Sequence, residues 1–410
     1  MTKWKSQQLS NLASITMGSS PKSTAYNDEG IGLPLIQGNA DIKNRLTKPR
    51  TYTSQITKEC APGGIIMTVR APVGAIAKST VKGCIGRGVC AISATKISQD
   101  YLYQYLISQE SKWKKLEQGS TFSAIGSKDV KQLLIAYPES VKEQAQIAGV
   151  LSTVDKKIDL IDQKIAETEK LKTGLMQKLF SEGIGVQDEN GEWQPHTEFQ
   201  ASPFGNVPKC WLKVSLENIA SVERGKFSAR PRNDPKYFGG NIPFVQTGDV
   251  VNAQLYVESY SQTLNELGLT VSKIFPTETI LITIAANIGD VAITQFPLAC
   301  PDSLVGIQAK KDMCDSLWLF FFMQTQKSEL DSKATKSAQK NINLQVLKPL
   351  TVFLPPLEEQ EFIAEILLAS EKKIALLKQQ KTETHQLKKG LMQKLLTGEW
   401  RVPVEETEAA

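Results

Sequence analysis

The side chains best placed to do chemistry stand at Pro301-Asp302 and, six residues on, Gln308-Ala309-Lys310. A carboxylate holding Mg²⁺ with a lysine near an attacking water would make the chain a self-contained Mg-dependent restriction endonuclease. Only one carboxylate stands there, where two or more are usual. The corresponding earlier stretch, Cys90 to Thr95, has neither Asp nor Lys. Asn233-Asp234-Pro235-Lys236-Tyr237 comes near the Asn-Pro-Pro-Tyr pattern of amino-methyl transfer. It lacks the paired prolines, no glycine-rich cofactor strand precedes it, and it reads as a turn.

Other chemistries are excluded more simply. No GxxxxGK[ST] loop and no GxGxxG occur, so neither nucleotide site is expected. The triplets Gly30-Ile31-Gly32, Gly86-Arg87-Gly88 and Gly183-Ile184-Gly185 read as turns. Cys60, Cys84, Cys90, Cys210, Cys300 and Cys314 form no CxxC pair, and His196 and His385 are the only histidines. A zinc site would have to be assembled from scattered cysteines. No metal and no cofactor is expected, and the cysteine usage reads as reduced and cytoplasmic. No apolar run approaches the ~20 residues of a membrane span, and Met1-Thr2-Lys3-Trp4-Lys5 lacks a signal peptide's apolar core. The net charge of +5 permits nucleic-acid binding without demanding it.

The elements that position these residues come as a tandem repeat. Gly-Leu-Met-Gln-Lys-Leu at 174–179 recurs at 390–395, a shift of 216. At that shift Glu143-Gln144 falls on Glu359-Gln360, and Lys156-Lys157-Ile158 on Lys372-Lys373-Ile374. Upstream the shift shrinks: Thr68 and Gly74 match Thr283 and Gly289 at 215, Pro34 and Gln37 match Pro243 and Gln246 at 209, and Trp4 and Gly18 match Trp211 and Gly225 at 207. A collinear series with a drifting shift means related halves with small insertions. Each half begins with a mixed region of strand-like runs (Leu33 to Ile36 and Gly64 to Val69; Ile242 to Val245 and Thr279 to Ile284) and a short helix (Tyr101 to Ile107; Leu317 to Met323).

A proline then opens a long helical run. In the first run Ile147, Leu151, Val154, Ile158, Ile161 and Ile165 make a heptad seam, and Leu171, Leu175 and Leu179 extend it after a slip. The second carries Ile363, Leu367, Ile374, Leu377, Leu387, Leu391 and Leu395, weakened at its centre by Ser370, Lys381 and Thr384. Each helix would be about 60 Å long. Two ordinary amphipathic core helices would also bury such stripes, but the persistence of a 3.5-residue period favours a coiled-coil pair. The link from Ser181 to Pro208 allows either orientation; antiparallel pairing would place the globular regions at opposite ends of a rod. The expected fold is α+β: two tandem mixed α/β domains and two long helices forming an antiparallel coiled coil with pseudo-twofold symmetry. The boundaries are 1–139 and 206–356 for the domains, 140–181 and 357–397 for the helices, 182–205 for a linker and 398–410 for a tail.

This organisation resembles the specificity subunit of type I restriction-modification enzymes. The resemblance is carried by Tyr237-Phe238-Gly239-Gly240-Asn241-Ile242-Pro243-Phe244-Val245 with Gly248-Asp249-Val250, by Gln339-Lys340-Asn341-Ile342-Asn343, and most specifically by Leu354-Pro355-Pro356-Leu357-Glu358-Glu359-Gln360. The first half keeps weaker versions in Pro34, Ser123-Ala124-Ile125-Gly126 and Tyr137-Pro138-Glu139-Ser140. It implies a non-catalytic, DNA-binding subunit of a host-defence complex, with one target-recognition domain for each half of a split, asymmetric site on double-stranded DNA. It further implies that the helices dock two methyltransferase subunits, that restriction subunits join that core, and that S-adenosylmethionine sits on the methyltransferases. A coiled-coil adaptor without a DNA role is the remaining alternative.

Reading base edges takes amide and guanidinium side chains on loops. The candidates are Gln37, Asn39, Arg70 and Arg87 in the first domain, and Arg230, Arg232, Gln246, Thr247 and Asn287 in the second. Lys114, Lys115, Lys128 and Lys340 suit phosphate. Half-sites about one helical turn apart, ~34 Å, suit two related readers on one chain.

Overall fold

The computed structural model describes residues 3–119, 124–202, 205–285, 287–335 and 341–403. The chain divides into two compact units. One comprises residues 1–162 and 379–410, the other residues 163–378. Four helices organise them: α1 (Gln99–Gly119), α2 (Val141–Leu179), α3 (Ser316–Thr325) and α4 (Leu357–Leu395).

In the first unit, strands Ala13–Met17, Val89–Ala94, Ile65–Thr68 and Ile76–Lys78 lie side by side and antiparallel, with Met17 opposite Cys90. The second unit repeats the order with Ala220–Arg224, Leu304–Ala309, Ile280–Thr283 and Val291–Thr294, and Arg224 opposite Val305. These strands are rich in β-branched residues and largely buried, which is why they read as short continuous apolar runs. A two-stranded clasp closes each domain, Trp4–Gln8 on Leu134–Pro138 and Leu212–Ser215 on Thr351–Leu354.

The long helices begin where a buried glutamine ties them to the domain. Gln144 donates to Pro138 O and accepts from Ser98 N; Gln360 donates to Pro355 O and accepts from Asp315 N. Asp315 in turn caps α3, accepting from Trp318 N at 2.7 Å. Within the first unit the start of α2 and the end of α4 share one core, in which Ile147 and Leu151 join Met392 and Leu395 under Tyr101 and Leu106. Within the second unit Ile363 and Leu367 join Leu179 under Trp318 and Phe322. In both units the two segments run antiparallel, as Asp155–Lys388 and Asp162–Lys381 show in the first and Lys172–Glu371 and Glu169–Lys378 in the second.

The expected slip after Ile165 does not occur. The heptad continues through Thr168 and Lys172 to Leu175 and Leu179; Lys172 is half-buried and Leu171 is exposed. In α4 likewise, Thr384 and Lys388 are buried while Leu387 points outward. The reason is pairing: each seam lysine meets a carboxylate, so the seam keeps its phase through two polar positions. The stretch after α2 is also not a bare connection. It forms short strands, and Ile184 and Gly185 donate their backbone N–H groups to Glu359. Among the described residues no helix is long and apolar enough to cross a membrane.

Candidate nucleic-acid interface

Each domain carries one cluster of loops at the ends of its central strands, built the same way in both. The first support is a threonine-centred turn. Thr68 Oγ donates to Pro72 O at 2.7 Å and accepts from Ala75 N at 2.9 Å, while Gly74 N donates to Thr68 O. Thr283 repeats this with Asn287 O, Asp290 N and Gly289 N. Gly74 and Gly289 have φ of +83° and +86°, a region an L side chain adopts only under strain. The segments resembling family motifs brace the same turns. Ile125 N donates to Val69 O and Ile342 N to Ile284 O.

The second support is a close approach. A Cβ on Gly18 would stand 2.1 Å from Gly86 O, and one on Gly225 would stand 2.2 Å from Pro301 O. A Cβ on Gly88 would lie 2.1 Å from Gln37 O. The Gly86-Arg87-Gly88 triplet is the expected turn, with Val89 N donating to Gly86 O at 3.1 Å, and the contact with Gln37 is a further reason for its second glycine. In the second domain Thr247 and Ser303 take the corresponding places, and their hydroxyls hydrogen-bond at 3.1 Å. An aspartate fixes the third loop in both domains. Gln37 N donates to Asp41 and Gln246 N to Asp249, each at 2.8 Å.

Within the first domain this scaffold brings Gln37, Arg70 and Arg87 around one cleft of about 260 Å³, together with Ser20 and Tyr26. Arg87 Nε donates to Ser20 Oγ at 3.2 Å. Asn39 is exposed in the next turn, outside the cleft lining. In the second domain Gln246 Nε2 donates to Gln262 Oε1 at 2.9 Å, and Asn287 is exposed at its turn. Arg230 instead folds back on its own backbone, donating to Ala229 O at 2.7 Å. Lys128 is exposed on helix Ser127–Gln132. Lys340 lies outside the described residues, as do the side chains of Lys114 and Lys115.

The endonuclease alternative loses its parts. Arg232 donates to the Asp302 carboxylate at 2.9 Å, and Lys310 Nζ donates to the carbonyls of Glu217 and Asn218. Among the described residues no group of three His, Cys, Asp or Glu is placed to hold a metal. The Asn233–Tyr237 stretch is a turn, with Asp234 capping Pro235–Tyr237. Ser20, Gln262 and Asp302 are the site residues that sequence reasoning missed as partners.

The sequence profile of the type I restriction modification DNA specificity domain matches residues 1–170 and 208–386. A putative type I restriction enzyme MjaX specificity subunit of Methanocaldococcus jannaschii is 31% identical over 280 residues, 68% of this chain and 62% of that protein's length. The MjaVIII specificity subunit of the same organism is 26% identical over 75% of this chain and 72% of its own. The crystal structure of a type I system S subunit from M. genitalium shares the fold, with a TM-score of 0.60 over 96% of both chains at 15% identity. With both halves matched by the same profile, the chain belongs to the type I restriction-modification specificity subunit family.

Proposed function

We propose that this chain gives a type I restriction-modification complex its DNA sequence specificity, each domain reading one half of a bipartite, asymmetric target. The observation that carries the reading is a loop scaffold built twice, with the same glutamine at one tip and different side chains at the others. Gln37, Arg70 and Arg87 stand on one, and Arg232, Gln246, Thr247 and Asn287 on the other. A common scaffold fixes the approach to a duplex, and divergent tips let the half-sites differ.

The paired helices dock two methyltransferase subunits, and restriction subunits join through that core. Supporting this are leucines exposed on the outer helix faces at repeat-equivalent positions, Leu160 with Leu376 and Leu171 with Leu387. The first unit holds Leu160 and Leu387, the second Leu171 and Leu376. Methyl transfer and cleavage then belong to the partner subunits, and this chain is non-catalytic. The test is to express the chain with its methyltransferase subunits in an unmethylated host and sequence the methylated motif. Exchanging residues 1–139 for the matching region of a relative should change one half of that motif and leave the other intact. A motif unaffected by the exchange, or by omitting the chain, would overturn the assignment.

A further inference from the structure

We infer that each domain reads one guanine with one buttressed arginine, Arg87 in the first domain and Arg232 in the second. This rests on the reading above that both loop clusters face DNA. The two arginines are not sequence equivalents. At the local repeat shift of 215, Arg87 corresponds to Asp302, and the matched approaches of Gly18 to Gly86 and of Gly225 to Pro301 support that equivalence. The guanidinium bridges the same pair of loops in both domains, but from opposite sides. In the first it leaves Arg87 and reaches Ser20, on the loop after strand Ala13–Met17. In the second it leaves Arg232, on the loop after strand Ala220–Arg224, and reaches the Asp302 carboxylate, while Arg224 Nε donates to the Asp302 backbone carbonyl at 2.6 Å. Two solutions thus place a guanidinium at the same junction.

A guanidinium held by one N–H keeps its other donors in a fixed fork, which matches O6 and N7 of guanine on the major-groove edge. A phosphate can also take the fork but does not require it, since a lysine serves phosphate as a point charge. Asp302 argues further against phosphate. Its carboxylate offsets the charge of Arg232 and repels an anion, while leaving the geometry of the remaining N–H groups intact. Around Arg87, Gln37 lines the same cleft. Ser20 and Asp302 are positioning residues: they hold the arginines and touch no base themselves.

The test uses the complex of the full chain with its methyltransferase subunits, reading the motif by methylome sequencing and affinity by competition with duplexes carrying that motif. The wild-type motif should contain a G·C pair in each half-site. Arg87→Gln should relax one base pair in one half-site, and Arg232→Gln one base pair in the other, each lowering discrimination there roughly ten- to hundredfold. Arg87→Lys should fail to restore it, since charge without the fork does not read guanine. Ser20→Ala and Asp302→Asn should relax the same positions as their arginines by a smaller factor, and Asp302→Glu should recover part of the loss. A half-site without G·C would overturn the inference. So would variants that weaken binding to all duplexes equally, or an Arg87→Lys complex that keeps full specificity; in those cases the bipartite reading stands. A methylation pattern independent of this chain would remove both.

Discussion

Lys388 reaches across the helix pair of the first unit to the Asp155 carboxylate at 2.5 Å, and Gln104 donates to the other oxygen of that carboxylate at 2.9 Å. At the repeat shift of 216, Asp155 becomes Glu371 and Lys388 becomes Lys172, and these two pair in the second unit with Gln324 alongside. One ion pair is therefore built twice. A lysine at a seam position costs stability unless its partner is present, but it fixes register, because sliding the helices strands the charge. Asp155→Ala should destabilise the first unit by about 2 kcal/mol, between the values for exposed and fully buried pairs. Asp155→Leu with Lys388→Met should recover most of that loss in urea unfolding. A double variant no more stable than Asp155→Ala would show that the pair does not hold the seam.

A second carboxylate with two solutions opens each long helix. Glu143 is buried and takes a two-point contact from Arg401 Nε and NH2 at 2.6 and 2.8 Å. Its counterpart Glu359 accepts from Trp211 Nε1 at 2.9 Å and stands 3.0 Å from His196 Nε2. Removing the Arg401 guanidinium takes a two-point contact away from a buried carboxylate, at a cost of about 3 kcal/mol. Arg401→Ala should lower the melting temperature, and Glu143→Gln in the same chain should restore part of it. Thermal melts of the two variants decide this.

The outward leucines make a stoichiometric prediction. Leu160 and Leu387 are more than half exposed in the first unit, as is Leu171 in the second, where Leu376 is nearly so. Replacing them with lysine should leave folding intact, since such positions contribute within about 0.5 kcal/mol. Leu160→Lys with Leu387→Lys should reduce the methyltransferase subunits bound from two per chain to one, as should Leu171→Lys with Leu376→Lys. Native mass spectrometry that still finds two subunits per chain in either variant would place the docking surface elsewhere.

Thiol labelling gives a test of the folded state. Burial pushes the thiols of Cys90, Cys300 and Cys314 up to about 12, so essentially none is thiolate at pH 8. Cys60 and Cys84 are buried as well. Cys210 is exposed; partial burial and then the Glu359 charge raise its pKa. In the native chain it alone should react, more slowly than a free cysteine, with a rate that climbs about tenfold per pH unit below its pKa. Cys210→Ser should abolish native labelling. Fast reaction of a second thiol would mean that a domain opens.

Much of this arrangement was legible because it follows from periodicity. The heptad spacing from Ile147 to Ile165 led directly to α2, and the recurrence of Glu-Gln and Gly-Leu-Met-Gln-Lys-Leu led to α4. What hydrophobicity misassigned were Leu171 and Leu387. Counting apolar residues makes them seam positions, whereas unbroken phase puts the neighbouring lysines there, and only the facing carboxylates make that tolerable. The candidate site was legible as residue types on loops, not as partners. Nothing local to Arg232 points to Asp302, seventy residues away, and nothing local to Arg230 shows that it bonds its own backbone.

The spacer prediction turns on the same distinction between equivalence and contact. If helix length sets the distance between half-sites, lengthening both helices should lengthen the gap. The repeat equates Thr168 with Thr384, but antiparallel segments do not meet at repeat-equivalent positions. Glu169, beside Thr168, pairs with Lys378, and Lys381, near Thr384, pairs with Asp162. Insertions at Thr168 and Thr384 would therefore put the intervening pairs out of register. The matched insertion places four residues between Asp162 and Glu169 in α2 and four between Lys378 and Lys381 in α4. Four residues add about 6 Å and nearly restore the seam face, with a local stutter. At ~3.4 Å per base pair, the non-specific gap should grow by roughly one or two base pairs, with both half-site sequences unchanged. The same insertions at Thr168 and Thr384 should cost stability without a clean change in gap. Methylome sequencing of both insertion variants reads the outcome directly, and an unchanged gap at full activity in the matched variant would mean that something other than these helices sets the spacing.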